Sequence, residues 1–237
     1  MAMLTLSAAV SQSAYPGRGI LVGRSANGRS ALCAYFIMGR SVNSRNRVFA
    51  AEGDGLRTRV YNPSLLSDPS LILYAPVRVL GPHTILTNGD QTDTVYEFLR
   101  RGDSFEAALR TRSFEPDAPH YTPRISALLT RHDGGFSYRL SILKSLHGDP
   151  SCCCRFFYEY DAPACGVGHF LHTYQGDGSP LPSFAGEPET VAMPDDLDQF
   201  ARTLWDYLDA DNRVSLFARA IDLETGAAQT RLFNKHG

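Results

Sequence analysis

The chain has 237 residues, 43% of them hydrophobic and 20% charged, with a formal net charge of −2 at pH 7. That length and apolar content suffice to bury a sizeable core in one domain. The near-neutral balance argues against broad electrostatic binding to nucleic acid or an anionic membrane, and leaves room for one small anion held by a local group of donors.

Met1 to Ala14 is mildly apolar and Ser-rich but carries no Lys or Arg ahead of its short hydrophobic stretch. It reads as a short, flexible tail or a first strand rather than a secretory signal. No apolar run approaches the roughly 20 residues that span a bilayer. Gly19 to Arg24 and Ala31 to Met38 are apolar runs flanking Asn27-Gly28, the strongest short hairpin signal, so the chain opens with a hairpin. Gly39 to Arg59 is polar and Arg-rich without a clear period, and is expected to be a long loop. Strands are expected at Leu71 to Leu80 and His83 to Thr87, around a Gly81-Pro82 turn. Asn88-Gly89-Asp90 then supplies turn and cap chemistry for a helix over Thr92 to Arg101, and Ser104 caps a shorter one. Ile125 to Leu129, Phe136 to Lys144, Arg155 to Tyr160 and Gly166 to Tyr174 read as consecutive strands. Gly176 to Pro194 is expected to be a loop. Asp195 is placed as the cap of a helix whose Leu197, Phe200, Ala201, Leu204, Trp205 and Leu208 share one face. A last hairpin, Arg213 to Asp222 with Ala228 to Phe233, turns at Glu224-Thr225-Gly226. No repeat or linker divides the chain, which predicts one α+β domain over residues 1–237, with helices covering antiparallel sheets.

The five cysteines comprise the run Cys152-Cys153-Cys154 and two isolated residues, Cys33 and Cys165. Adjacent strand side chains face opposite ways, so three consecutive thiols do not converge on one metal, and no CxxC or His pair completes a zinc site. An odd count without disulfide-like spacing fits a reducing, cytoplasmic compartment.

Four segments carry chemistry. Arg18, in Tyr15-Pro16-Gly17-Arg18-Gly19, and Arg40, Arg45 and Arg47, in Gly39 to Arg47, flank the first hairpin together with Ser41 and Ser44. Guanidinium groups grip phosphate bidentately and Ser hydroxyls supply further donors, although a solvated basic loop has the same composition. Thr87 to Asp93, with Asn88 and Asp90, opens a helix and either caps it or faces a polar ligand. Glu115 and Asp117 precede Tyr121-Thr122-Pro123-Arg124-Ile125, a set able to move protons once burial shifts its pKa values, and equally a charged surface loop. His169 and His172 lie three apart on a strand and make a poor metal pair. Gly166-Val167-Gly168 lacks the rest of a dinucleotide fingerprint.

In order along residues 15–130, YPGRGI, AYFIMGRSVNSRNR, the Tyr74 strand, TNGDQTD and YTPRI resemble the archaeal-type IMP cyclohydrolase family and its bacterial relatives. Residues 131–237 match it mainly in their strand–helix–hairpin pattern. The resemblance implies an N-terminal-nucleophile-hydrolase-like four-layer αββα sandwich without autoprocessing. It implies closure of 5-formamido-1-(5-phosphoribosyl)imidazole-4-carboxamide to IMP and water in purine nucleotide biosynthesis, a hydrolase activity at the C–N bond of a cyclic amidine, with no metal or cofactor. Arg40, Arg45 and Arg47 would hold the 5′-phosphate with Ser41 and Ser44, the choice between Arg45 and Arg47 remaining open, and Arg18 would border the pocket. Tyr74, Asn88, Asp90 and Arg124 would surround the base. Glu115 or Tyr121 would transfer protons, and Arg124 would stabilise the formyl oxyanion. Two alternatives stand beside this. One is an amide hydrolase of the same fold on a nucleotide-like substrate, for which Cys33 is the thiol to test. The other is a purine-nucleotide-binding module without activity. A homo-oligomer is compatible with exposed sheet edges.

Overall fold

Two runs near the start, Arg18–Arg24 (β1) and Ser30–Met38 (β2), are buried on both faces and so read as continuous apolar stretches. Alternation sends Tyr35 to one layer and Phe36 to the other. In the computed structural model, which describes residues 3–66 and 73–236, these strands lie at the middle of one of two antiparallel sheets.

The remaining elements follow in order. Leu6–Ser11 (α1) precedes β1. After β2 come Val42–Arg45 (α2), Arg47–Glu52 (β3), Gly55–Val60 (β4), Val77–Leu80 (β5) and His83–Thr87 (β6). Two helices, Gln91–Arg100 (α3) and Phe105–Arg110 (α4), lead into Arg124–His132 (β7), Gly135–Leu146 (β8), Asp149–Tyr160 (β9), Val167–His172 (β10) and Glu189–Ala192 (β11). Leu197–Tyr207 (α5), Arg213–Asp222 (β12) and Ala228–Asn234 (β13) complete the fold. The first sheet runs β11-β10-β1-β2-β12-β13 and the second β3-β4-β5-β6-β7-β8-β9.

The main core lies between the sheets, where Ile20, Tyr35 and Phe217 of the first meet Phe49, Ile125 and Ile142 of the second. On the outer face of the first sheet, Leu21, Phe36 and Leu216 pack under Val10 of α1 and Phe200 and Leu204 of α5. On the outer face of the second, Ile85, Leu128 and Leu143 pack under Val95 of α3 and Phe105 and Leu109 of α4. Helices α1, α3, α4 and α5 therefore each bury one stripe against a sheet face, as the α+β expectation requires, while α2 buries none. No helix of the described residues is long and apolar enough to cross a membrane.

Several local expectations are corrected. The first residues form neither a tail nor a strand: Thr5 caps α1, whose Leu6, Ala9 and Val10 are buried against the layer of α5. Gly39 to Arg59 is not a loop but α2 followed by the β3–β4 hairpin. Arg57 and Arg59 hide the alternation by occupying the outward positions that follow the buried Leu56 and Thr58. The Leu71–Leu80 strand shrinks to β5, Leu71 itself lying outside the described residues, while Tyr74 attaches to β4 through Thr58 rather than through a ladder. The Gly176–Pro194 segment contains β11, which completes the first sheet's edge. The cap of α5 is Asp196, which accepts from the Gln199 amide, while Asp195 accepts from the Asn27 amide of the first hairpin's turn. Asp90 stands at the start of α3 without capping it.

Candidate active site

Three arginines open strands at one end of the sandwich: Arg18 on β1, Arg47 on β3 and Arg124 on β7. Alternation aims Arg47 inward beside Phe49, and it is fully buried. Its Nε donates to the Ser44 carbonyl at 2.9 Å, whereas both terminal nitrogens have no partner among the described residues. The Nε atoms of Arg18 and Arg124 are likewise buried and unpaired. Burial and the neighbouring Arg18 charge hold Arg47 below the usual arginine value. Burial also works against the Arg18 charge, but Tyr15, Glu115, Tyr174 and Tyr74 outweigh it and hold that group above its usual value. Buried guanidinium donors without acceptors are costly, by several kcal/mol per ion in general.

Facing these cations is Glu115, which is 2% exposed. Burial pushes its carboxyl up to about 7, against the opposing pull of Arg18, Arg124 and Arg47 and with a further push from Asp117. Its backbone N–H donates to the Thr122 carbonyl at 2.9 Å. Thr122 is itself fixed by Asp117: its amide donates to Oδ1 at 2.6 Å and its hydroxyl to Oδ2, and it accepts from the Tyr174 hydroxyl at 2.5 Å. Tyr35 and Tyr74 share a hydroxyl hydrogen bond of 2.7 Å, and burial raises both phenols, most strongly Tyr35. Two backbone-directed bonds hold the Tyr74 main chain on the Thr58 hydroxyl.

Arg124 is oriented rather than mobile. Its Nη1 donates to Gln91 Oε1 at 2.6 Å and pairs with Asp90 Oδ1 at 2.7 Å. A Cβ at residue 89 would fall 2.3 Å from that nitrogen, so Gly89 lets the guanidinium lie against the backbone.

The structure thus gathers Arg18, Arg47, Tyr74, Glu115 and Arg124 into one electrostatically coupled group. Arg40 stands at its rim, over the Tyr15 ring at 4.9 Å and paired with Asp177. The other residues singled out above have different surroundings. Ser41 and Ser44 form the reciprocal capping box of α2. The Arg45 guanidinium is engaged by Gly39 O at 2.8 Å and Asn212 Oδ1 at 3.1 Å. Asn88 is buried and clamps β7 through the Ile125 amide and the Pro123 carbonyl. Asp90 joins Arg112 to Arg124. Tyr121 adopts φ 43° and stands edge-on to Phe114, 5.6 Å between ring centroids. Tyr15, Tyr35 and Tyr174 carried no assigned role. A signal existed for Tyr35 alone, as a phenol on the inward face of an otherwise apolar strand, where its hydroxyl needs a partner.

Elsewhere the histidines are occupied structurally. His169 Nδ1 lies 2.5 Å from the Tyr138 hydroxyl, and burial pushes the imidazole down to about 4. His172 Nδ1 lies 2.8 Å from the Tyr174 carbonyl oxygen. Cys33 is fully buried in the inter-sheet core, and burial pushes its thiol up to about 12. Among the described residues no group of three or more His, Cys, Asp or Glu side chains is placed to hold a metal ion.

Fold and site together define an α+β sandwich with unspent guanidinium donors and a carboxyl titrating near neutrality at one end of its inter-sheet core. A family model described as IMP cyclohydrolase-like protein matches residues 15–226, and the chain belongs to that family. It is 31% identical over 117 residues to an IMP cyclohydrolase of Methanopyrus kandleri, covering 48% of this chain and 58% of that protein. It is 30% identical over 122 residues to an IMP cyclohydrolase of Methanocella arvoryzae, covering 50% and 59%. The matched region thus spans somewhat more than half the length of these curated relatives.

Proposed function

We propose that this protein closes the purine ring, converting the formamido-imidazole-carboxamide ribotide to IMP and water. The observation that carries the reading is the buried Arg47 guanidinium, with both terminal nitrogens unpartnered, set beside Arg18 and Glu115. Such donors are retained where an anion completes them, and a 5′-phosphate accepts bidentately from a planar fork. Arg47 takes the phosphate role in preference to Arg45, whose Nε and Nη2 are already engaged within the protein. Arg40 guards the entrance.

The reaction forms one C–N bond. The carboxamide nitrogen attacks the formyl carbon, and the carbonyl electron pair moves onto the formyl oxygen. Arg124, whose Nε is unspent, donates to that developing oxyanion. Glu115, near half-protonated at neutral pH, takes a proton from the attacking nitrogen and passes it to the formyl oxygen. It then protonates the resulting hydroxyl, the C–O bond breaks to release water, and the formamido nitrogen gives up its proton to Glu115 as the ring C=N bond forms. Tyr35 and Tyr74 present paired phenols to the base. Attacker and target lie in one molecule, so holding the reactive rotamer supplies much of the acceleration. The two facing antiparallel sheets, with helices on both outer faces, support assignment to the N-terminal-nucleophile-hydrolase-like αββα architecture. The Cys33 environment speaks against the amide-hydrolase alternative, since a thiol held near 12 inside the core is a poor nucleophile.

Absorbance-monitored conversion of the ribotide by purified protein tests the reading. IMP formation, with a kcat/KM limb titrating near pH 7 in the free enzyme, is the expected result. Tight IMP binding without turnover would overturn the enzymatic reading in favour of a nucleotide-binding module.

A further inference from the structure

The cysteine run lies outside the site and has a geometry of its own. Cys152, Cys153 and Cys154 sit on β9, the edge strand of the second sheet. Cys153 faces the helical layer, where it packs with Phe157 around α3 and α4. Cys152 and Cys154, two apart, share the opposite face. The ladder with β8 is interrupted here: Cys153 pairs with Ser145, but the next residue of β8, Leu146, pairs with Asp149. Pro150, Ser151 and Cys152 therefore form a bulge. A bulge bends its strand and re-aims side chains, and here Cys152 stands near enough to Cys154 for the two thiols to couple: burial, Cys154 and Asp149 push the Cys152 thiol above its usual value. Both are partly exposed.

Cys154 also lines a cleft with His120, Lys144 and His147. Lys144 stands directly across the ladder, its ammonium coupled to Cys154 and donating to the Phe184 carbonyl. Three features thus coincide on one strand edge: two neighbouring thiols, solvent access and, across the ladder from Cys154, a cation that marks Cys154 as the attacking sulfur.

We propose that Cys152 and Cys154 form a redox-modifiable dithiol, oxidised by a peroxide to an intrastrand disulfide. One thiolate attacks a peroxide oxygen, breaking the O–O bond and leaving a sulfenic acid and water. The second sulfur then attacks the sulfenic sulfur, forming the S–S bond and releasing a second water. Two thiols lose two electrons and two protons, and hydrogen peroxide becomes two waters. A small thiol reverses the step. Cys153 takes no part because its side chain points into the other layer, and Cys33 takes none because it is buried in the core.

The experiment is limited oxidation of the full chain with hydrogen peroxide, alkylation of remaining thiols, and peptide mass spectrometry. The expected result is loss of two hydrogens from the peptide holding residues 152–154, with Cys153 still alkylated and full reversal by dithiothreitol. Phenylarsine oxide, a trivalent arsenical that bridges paired thiols, should protect the same peptide from peroxide. Cys152→Ser should abolish both effects, while Cys153→Ser should leave both intact. Over-oxidation of single cysteines without a bridge, or loss of the bridge in Cys153→Ser rather than Cys152→Ser, would overturn the proposal. Far-ultraviolet circular dichroism of the two serine variants separates loss of the thiol from loss of the fold.

Discussion

Two arginines on inward-facing strand positions, at opposite ends of the inter-sheet core, illustrate what burial alone does not say. Arg219 on β12 is 7% exposed, and two of its three nitrogens are engaged: Nε by the Thr230 hydroxyl at 3.1 Å and Nη2 by the Asp54 carbonyl at 2.7 Å. It ties the β3–β4 turn to the β12–β13 hairpin. Arg47 is more deeply buried, yet only its Nε is satisfied, by the Ser44 carbonyl, and its guanidinium lies near the Arg18 cation. The first arrangement is a fastening. The second leaves donors without an acceptor among the described residues, which is what the proposed phosphate site needs. Unspent hydrogen-bonding capacity, more than burial or charge, distinguishes the two ends.

Substitutions at the two ends should therefore separate turnover from stability. The largest effect is expected for Glu115→Gln, which leaves the shape but removes the titrating proton; steady-state kinetics should show kcat lower by on the order of 10³. The same variant should change the pH dependence of stability. With a folded-state value of about 7 against an ordinary 4.5, the Glu115 contribution is fully present below pH 4.5 and lost as pH rises through 7. Urea unfolding should show the variant gaining on the parent by on the order of 3 kcal/mol across that window. Next, Arg47→Ala should lower kcat/KM about 100-fold, mostly through KM, since phosphate binding is lost in ground state and transition state alike. Arg219→Ala should invert that pattern: kcat/KM near the parent value and a stability loss of about 2 kcal/mol, read from the urea midpoint, because a buried side chain and the two bonds it makes between hairpins are lost together. The smallest effect belongs to Arg45→Ala. It should stay within about threefold in kcat/KM, because its bonds fasten Gly39 and Asn212 rather than a ligand.

The same contrast explains what was legible in the chain itself. The Asn27-Gly28 hairpin and the α5 stripe were readable because local turn chemistry and a helical period point the same way as the packing. The β3–β4 hairpin was not, because arginines at its outward positions look like loop composition while Leu56 and Phe49 carry the core. β11 is four residues inside a Gly- and Pro-rich stretch, too short to show a period. In the site, the segments holding Arg18, Arg47, Glu115 and Arg124 stood out as clusters of donors and carboxylates. Which arginine was free did not. Ser41 and Ser44 are used in capping α2, and the change from helix to strand between residues 45 and 47 sends one guanidinium to Asn212 and the other inward. Tyr174, just after β10 of the first sheet, reaches Thr122, just before β7 of the second, from 52 positions away, a contact that no local pattern announces.

The central claim is that the unspent donors around Arg47 bind the phosphate of a purine ribotide, and calorimetric titration with IMP tests it most directly. The parent protein and Arg219→Ala should bind IMP alike, while Arg47→Ala should bind it about 100-fold more weakly. An Arg47→Ala protein that keeps its fold and binds IMP as tightly as the parent would contradict the account.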